Sequence, residues 1–111
     1  MLNLRGVKLV SLEILQNQLS LQSLQLLNLN HCLEKSQVSQ IMPTLTARNF
    51  PQLKELFCRS NHIESMMPFT GLSSLKLLDL ANNAIKRIGE NEIPQNLVVL
   101  NIVGNESLEY S

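Results

Sequence analysis

The stretch Leu53-Lys54-Glu55-Leu56-Phe57-Cys58-Arg59-Ser60-Asn61-His62-Ile63 sets apolar side chains at its first, fourth, sixth and last positions and an asparagine two places before the end. The same template, L-x-x-L-x-L-x-x-N-x-L, returns as Leu75, Leu78, Leu80, Asn83 and Ile85, and again as Leu97, Leu100, Ile102 and Asn105. Upstream, Leu24, Leu27 and Leu29 lead to Cys32, which stands where the other segments carry Asn. One strand and one turn repeated at a period of about 20 residues or slightly more mark a coil stacked on its own likeness. Side chains alternate across a strand, so the two leucines of L-x-L point inward and the residue between them points out. A buried Leu contributes about 1.5 to 3 kcal/mol, and no coil can hide its row without a neighbour, so stability is shared between adjacent coils. The turn residues Asn61, Asn83 and Asn105 are expected to face inward and bond backbone groups that the bend leaves unpaired.

Working toward the N-terminus, Leu9, Leu12, Ile14, Asn17 and Leu19 also fit the template. That alignment leaves about fifteen residues before the next coil, fewer than a strand and its return path require. A first strand at Leu2 and Leu4, with Leu12, Leu15 and Leu21 on the return path, avoids the difficulty. Five parallel strands are then expected in one curved sheet, near Leu2–Arg5, Leu27–Asn30, Leu56–Arg59, Leu78–Ala81 and Leu100–Val103. On the return paths, Ile63, Met66, Phe69 and Leu72 recur every third residue, a spacing suited to tight 3₁₀-like turns, and Ile85 and Ile88 begin the same rhythm. The path from Cys32 to Leu53 is about seven residues longer, and Ser36, Val38, Ile41, Met42 and Leu45 read there as a short amphipathic helix capped by Ser36 and limited by Pro43.

Composition narrows the function classes. Leucine makes up roughly a fifth of the 111 residues, and the chain is long enough for one domain, residues 1–111. Nine Lys and Arg balance nine Asp and Glu, so net charge indicates neither a nucleic-acid footprint nor a polybasic membrane patch. Two cysteines without a disulfide framework point to an intracellular, cytoplasmic, reducing setting, and no apolar run approaches the roughly 20 residues of a membrane span.

These residues resemble the leucine-rich-repeat superfamily along the whole chain, and their three-residue rhythm resembles its short 22-residue class. That class includes the nuclear regulatory subunit of protein phosphatase 1, dynein light chain 1 and axonemal leucine-rich-repeat proteins. The segment Glu92 to Glu106 looks most like the last coil of the axonemal members. The resemblance implies an α/β fold, a right-handed solenoid whose curved parallel sheet faces a convex side of 3₁₀ and short-helix segments. It also implies a non-enzymatic scaffold or adaptor, without cofactor, that binds a protein partner through the concave sheet in a ciliary, axonemal or phosphatase-regulatory assembly. A nuclear ribonucleoprotein-associated module acting through a protein partner is the alternative. Two features depart from the class. The long second return path resembles the ribonuclease-inhibitor class, and the Tyr-containing C-terminal cap stops at Tyr110 and Ser111. The domain is accordingly expected to be truncated or uncapped at its C-terminus, with assembly or self-association through open ends.

His31, Cys32, Cys58 and His62 suggest metal ligands or a thiol–imidazole pair, but the register sends both cysteines inward, His31 to the concave side and His62 to the turn, so free packed thiols are expected. Asn105-Glu106-Ser107 fits the glycosylation pattern, yet Asn105 belongs to the inward turn row. No phosphate-binding loop, metal-ligand spacing or nucleophile motif is present, and direct nucleic-acid and membrane binding are not expected. The expected protein-binding residues are those that the register turns outward: Arg5, Asn28, Asn30, His31, Phe57, Arg59, Asp79, Asn101 and Val103. Phe57 beside Arg59 and Asp79 has the composition of an interface hot spot.

Overall fold

The computed structural model describes residues 2–3, 23–66, 69–89, 91–106 and 108. Five strands form one parallel sheet in chain order: β1 Leu2–Asn3, β2 Leu26–Asn28, β3 Glu55–Phe57, β4 Leu77–Asp79 and β5 Val99–Asn101. Their register sets template on template, with Leu2, Leu27, Leu56, Leu78 and Leu100 as successive partners. This places the first strand at Leu2, as the spacing argument requires. The return path through Leu12, Leu15 and Leu21 lies outside the described residues.

The core is the inward set of the template. Leu27, Leu29, Leu53, Leu56, Cys58, Leu75, Leu78 and Leu80 are all buried, and Phe50, Met66 and Phe69 close over them from the return paths. The three-residue rhythm becomes a chain of i to i+3 hydrogen bonds: Phe69 N–H to Met66 O at 3.0 Å, Leu72 N–H to Phe69 O at 3.1 Å and Leu75 N–H to Leu72 O at 3.1 Å. Each such turn returns one apolar side chain to the same side, which is why the buried residues recur at that spacing.

The longer return path contains the α-helix α1, Lys35–Ile41, followed directly by a 3₁₀ turn at Met42–Thr44. The helix starts one residue before Ser36, so Ser36 sits inside its first turn and is not the cap. Pro43 has no N–H for an α-helical bond, and the chain tightens around it, with Leu45 N–H donating to Met42 O at 3.1 Å.

The turn asparagines tie each coil to the one before it. Asn61 Oδ1 accepts the N–H groups of Cys32 and Leu33, both at 2.9 Å, while its Nδ2 donates to Leu29 O at 2.8 Å. Asn83 Oδ1 accepts from Asn61 N–H at 2.9 Å and Ile63 N–H at 3.1 Å, and its Nδ2 lies within hydrogen-bond distance of the carbonyls of Cys58, Leu80 and Ala81. Asn105 continues the ladder, accepting from Ile85 N–H at 3.0 Å and donating to Leu80 O and Ile102 O. These buried amides satisfy backbone groups that no strand partner reaches.

The bend also needs left-handed backbone, which one column supplies at every described turn and His62, with φ of 60°, adds to once more. His31, Ser60 and Asn82 have φ of 57°, 58° and 57°, and Gly104 has φ of 81°. At Gly104 a β-carbon would meet Asn82 Oδ1, the end of an exposed side chain that would have to move aside, so the positive φ is what chiefly favours glycine there.

Burial falls off at the last strand. Leu97, Leu100 and Ile102 are only half-buried, and the exposed large hydrophobics among the described residues are Ile93, Val98, Val99 and Val103. No helix among the described residues is long and apolar enough to cross a membrane.

The ladder predicts that Asn83→Ala destabilises the protein by about 3 kcal/mol, on the scale of a core Leu→Ala change, because it strands several buried backbone groups at once. Exposed Asn96, whose Nδ2 donates to Ser73 O, is the control, and Asn96→Ala is expected to cost less than about 1 kcal/mol. Chemical denaturation of both variants checks the ordering.

Candidate functional site

The outward residues of the middle coils meet in one cleft. Asn28, Asn30, His31, Phe57, Arg59 and Asp79 line it together with Ser60 and Asn82, around a volume of about 370 Å³. Six of the nine residues singled out from the sequence are thus brought together. Asn101 and Val103 stand one strand further along, outside this cleft, with Val103 beside Gly104 and Glu106 on a shallower surface. Arg5 lies outside the described residues.

The amide column in the cleft turns out to have a structural task. Asn28 Oδ1 accepts Asn30 N–H at 2.9 Å, Asp79 Oδ1 accepts Ala81 N–H at 3.2 Å, and Asn101 Oδ1 accepts Val103 N–H at 3.1 Å. Each is a side chain bonding its own backbone two residues on, the Asx turn that leads the chain out of the strand. The strands end at Asn28, Phe57, Asp79 and Asn101, rather than at the expected Asn30, Arg59, Ala81 and Val103, and at three of these four ends the Asx turn accompanies the exit.

Phe57 breaks the column, because phenylalanine has no acceptor to offer Arg59 N–H. Asn30 supplies it from the neighbouring coil, with its Oδ1 at 2.7 Å. The aromatic ring therefore occupies a position whose ordinary occupant serves the backbone, and its presence is tolerated through a second residue.

Asp79 is not the outward-facing charge that its position suggests. Its side chain is 7% exposed, with Oδ2 at 2.5 Å from Arg59 Nε and Oδ1 committed to Ala81 N–H. Both oxygens are engaged within the protein, which removes Asp79 from the set available to a partner. Arg59 is the opposite case, with 47% of its side chain exposed.

A further outward column, Leu26, Glu55, Leu77 and Val99, is joined in register across β2 to β5. Leu26, Glu55 and Leu77 are half-buried, and Val99 is exposed. These residues were not among those singled out. Stepping the strand alternation two residues back from Asn28, Phe57, Asp79 and Asn101 would have found them.

The reactive cluster resolves into two environments. Cys32 and Cys58 are buried free thiols, whereas His31 and His62 are exposed. Burial pushes the Cys58 thiol far above its ordinary range, and the Cys32 thiol and the Asp79 carboxylate add to the shift. Among the described residues no group of three or more His, Cys, Asp or Glu is arranged to hold a metal ion. Asn105 is enclosed, at 7% exposure with both ends of its amide engaged, so the glycosylation pattern falls on a side chain occupied in the turn.

A second cleft of about 420 Å³ lies between α1 and the return path that follows β3, with Val38, Met42, Pro43 and Ile63 among its walls. It is larger than the outer cleft, but mainly hydrocarbon. Lys35, His62, Glu64 and Ser65 complete its lining.

Compared with known proteins, the chain matches no family model, no curated protein and no solved structure. The fold is a parallel sheet in chain order with little helix, which is compatible with an α/β class.

Two outcomes follow from this geometry. Asn30→Ala should cost about 0.5 to 1 kcal/mol by giving the exposed Arg59 N–H to water, and Phe57→Asn in the same chain should restore most of that loss by rebuilding the local turn. A double-mutant cycle in urea measures the rescue, and additive losses would contradict the compensation. The second concerns Cys58. Unfolding releases this thiol to an ordinary pKa of about 8.5, so its contribution is fully present below that pH and declines by up to about 1.4 kcal/mol per pH unit above it. Denaturation at neutral and alkaline pH should show a steeper loss for the parent chain than for Cys58→Val, and equal slopes would contradict it.

Proposed function

We propose that this protein is a non-enzymatic leucine-rich-repeat solenoid that binds a protein partner through the concave face of its sheet. The observation that carries the reading is Phe57. In a column where Asn28, Asp79 and Asn101 each serve their own backbone, an aromatic side chain stands instead, and Asn30 takes over the task it leaves. A position freed from structural work and filled with a half-exposed ring beside an exposed Arg is what a binding hot spot requires. Register, inward leucines and the asparagine ladder support the solenoid reading, since each coil is stabilised chiefly by its neighbours.

The cleft is polar, open and floored by hydrogen-bonded amides, a composition suited to recognition rather than to proton transfer or nucleophilic attack. Its one exposed cation, Arg59, falls short of the row of Lys and Arg that phosphate backbones require, which favours a protein partner over direct nucleic-acid contact. By resemblance of residues 92–106 to axonemal repeat proteins, the reading extends to a cytoplasmic, ciliary or phosphatase-regulatory assembly.

Affinity capture from a ciliated-cell lysate, with Phe57→Ala as the control surface, tests it. Axonemal or phosphatase components retained by the parent chain and lost from the variant are expected, with the melting temperature of the variant close to that of the parent. Ribonucleoprotein components lost in the same way would favour the nuclear alternative, and an unchanged set of captured proteins would overturn the role of this face.

A further inference from the structure

We propose that the segment received by this face is acidic and amphipathic, with a carboxylate that meets Arg59 and apolar side chains that cover Phe57, Leu77 and Val99. The inference rests on the reading of the outer face as a protein-binding surface and adds the chemistry of what binds there.

The charge argument begins with Asp79. Its two oxygens are taken by Arg59 Nε and Ala81 N–H, and its side chain is almost enclosed, at 7% exposure. The pair therefore presents its two charges unequally. The negative partner is withdrawn into the sheet, while the guanidinium stays 47% exposed at the cleft. Through Nε the carboxylate holds the guanidinium plane, and among the described residues the two terminal nitrogens make no hydrogen bond. A fork fixed at one edge and open at the other suits a planar, two-oxygen anion. It loses little side-chain freedom on binding, because its orientation is already held.

The apolar argument comes from the column two residues back along the strands. Leu77 pairs with Val99 in register, and Phe57 lies beside Asp79 on the adjoining row. Val99 is 48% exposed and Leu77 and Phe57 are half-buried, so covering them removes hydrocarbon from water. The Leu77 column and the Arg59 column are four residues apart, about 13 Å along a strand. Arg59 shortens that span by reaching back to Asp79. Apolar and acidic side chains one to two turns apart on a helix, about 5 to 11 Å, match the remaining distance. Glu55, in the same column as Leu77, disfavours a second carboxylate there and so limits the register in which such a segment can lie.

Selection of a phage-displayed library of random linear peptides against the full chain tests the proposal without assuming a partner. Enriched peptides are expected to combine Asp or Glu with Leu, Ile or Phe. Their affinity should fall about tenfold with Arg59→Gln, and similarly when the peptide carboxylate is changed to its amide, with the two losses less than additive. Arg59→Lys, which keeps the charge without the fork, should recover only part. Peptides that depend on Phe57 but not on Arg59 would overturn the acidic inference and leave the binding face standing. Peptides indifferent to both residues, or no enrichment, would remove both. If Arg59→Gln fails to fold, the peptide carboxylate-to-amide change decides alone, and an unchanged affinity overturns the proposal.

Discussion

The buried asparagine ladder is the constraint on which the rest of the structure depends. At each turn the backbone leaves the sheet while still inside the protein, where an unsatisfied N–H or C=O costs about 1 to 3 kcal/mol. One amide carries both an acceptor and donors, so Asn61 can bond Cys32, Leu33 and Leu29 at once, and Asn83 can bond both sides of the next turn. Aspartate would lack the donors, and a hydrophobic residue would lack everything. The first described turn carries Cys32 instead of asparagine, and its N–H is bonded by Asn61 from the following coil. The ladder is thus built between coils, and removing one rung loosens two turns.

Packing follows from the same arrangement. With the turns satisfied, the leucines of successive coils fall in register and close a continuous core, sealed by Phe50 and Phe69 from the return paths. Each row is dry only where another row lies on both sides. Leu78 is wholly buried for that reason, while Leu100, in the same position one coil later, is half-buried, and the valines around it reach water. The same template position therefore yields different burial, and the difference is set by neighbours rather than by propensity.

The outer face shows how a binding surface is obtained on a framework that leaves few side chains free. Turn formation claims Asn28, Asp79 and Asn101, left-handed backbone claims the column of His31, Ser60 and Asn82, and the Arg59 pair claims what remains of Asp79. Phe57 and the open edge of Arg59 are what is left over in the middle of the cleft. Their neighbours hold them in place: Asn30 supports the backbone beneath Arg59, and Asp79 holds its guanidinium.

Much of the fold was legible in the residues alone. The alternation of L-x-L dictates which side chains face inward, the period dictates parallel strands in chain order, and the spacing of Ile63, Met66, Phe69 and Leu72 dictates the tight turns between them. These are local properties, expressed within a few residues of where they are written. The sequence also named six of the cleft residues, Phe57 and Arg59 among them, because strand alternation assigns a side to every position. It did not show that Asp79 is enclosed, or that Leu26, Glu55, Leu77 and Val99 form a column of their own. Nor did it show that Asn30 completes the backbone of Arg59, a contact between residues 29 apart in the chain. Those facts depend on which atoms meet across strands, and only the packing of the strands side by side decides that, since alternation gives a side chain its direction but not its neighbours.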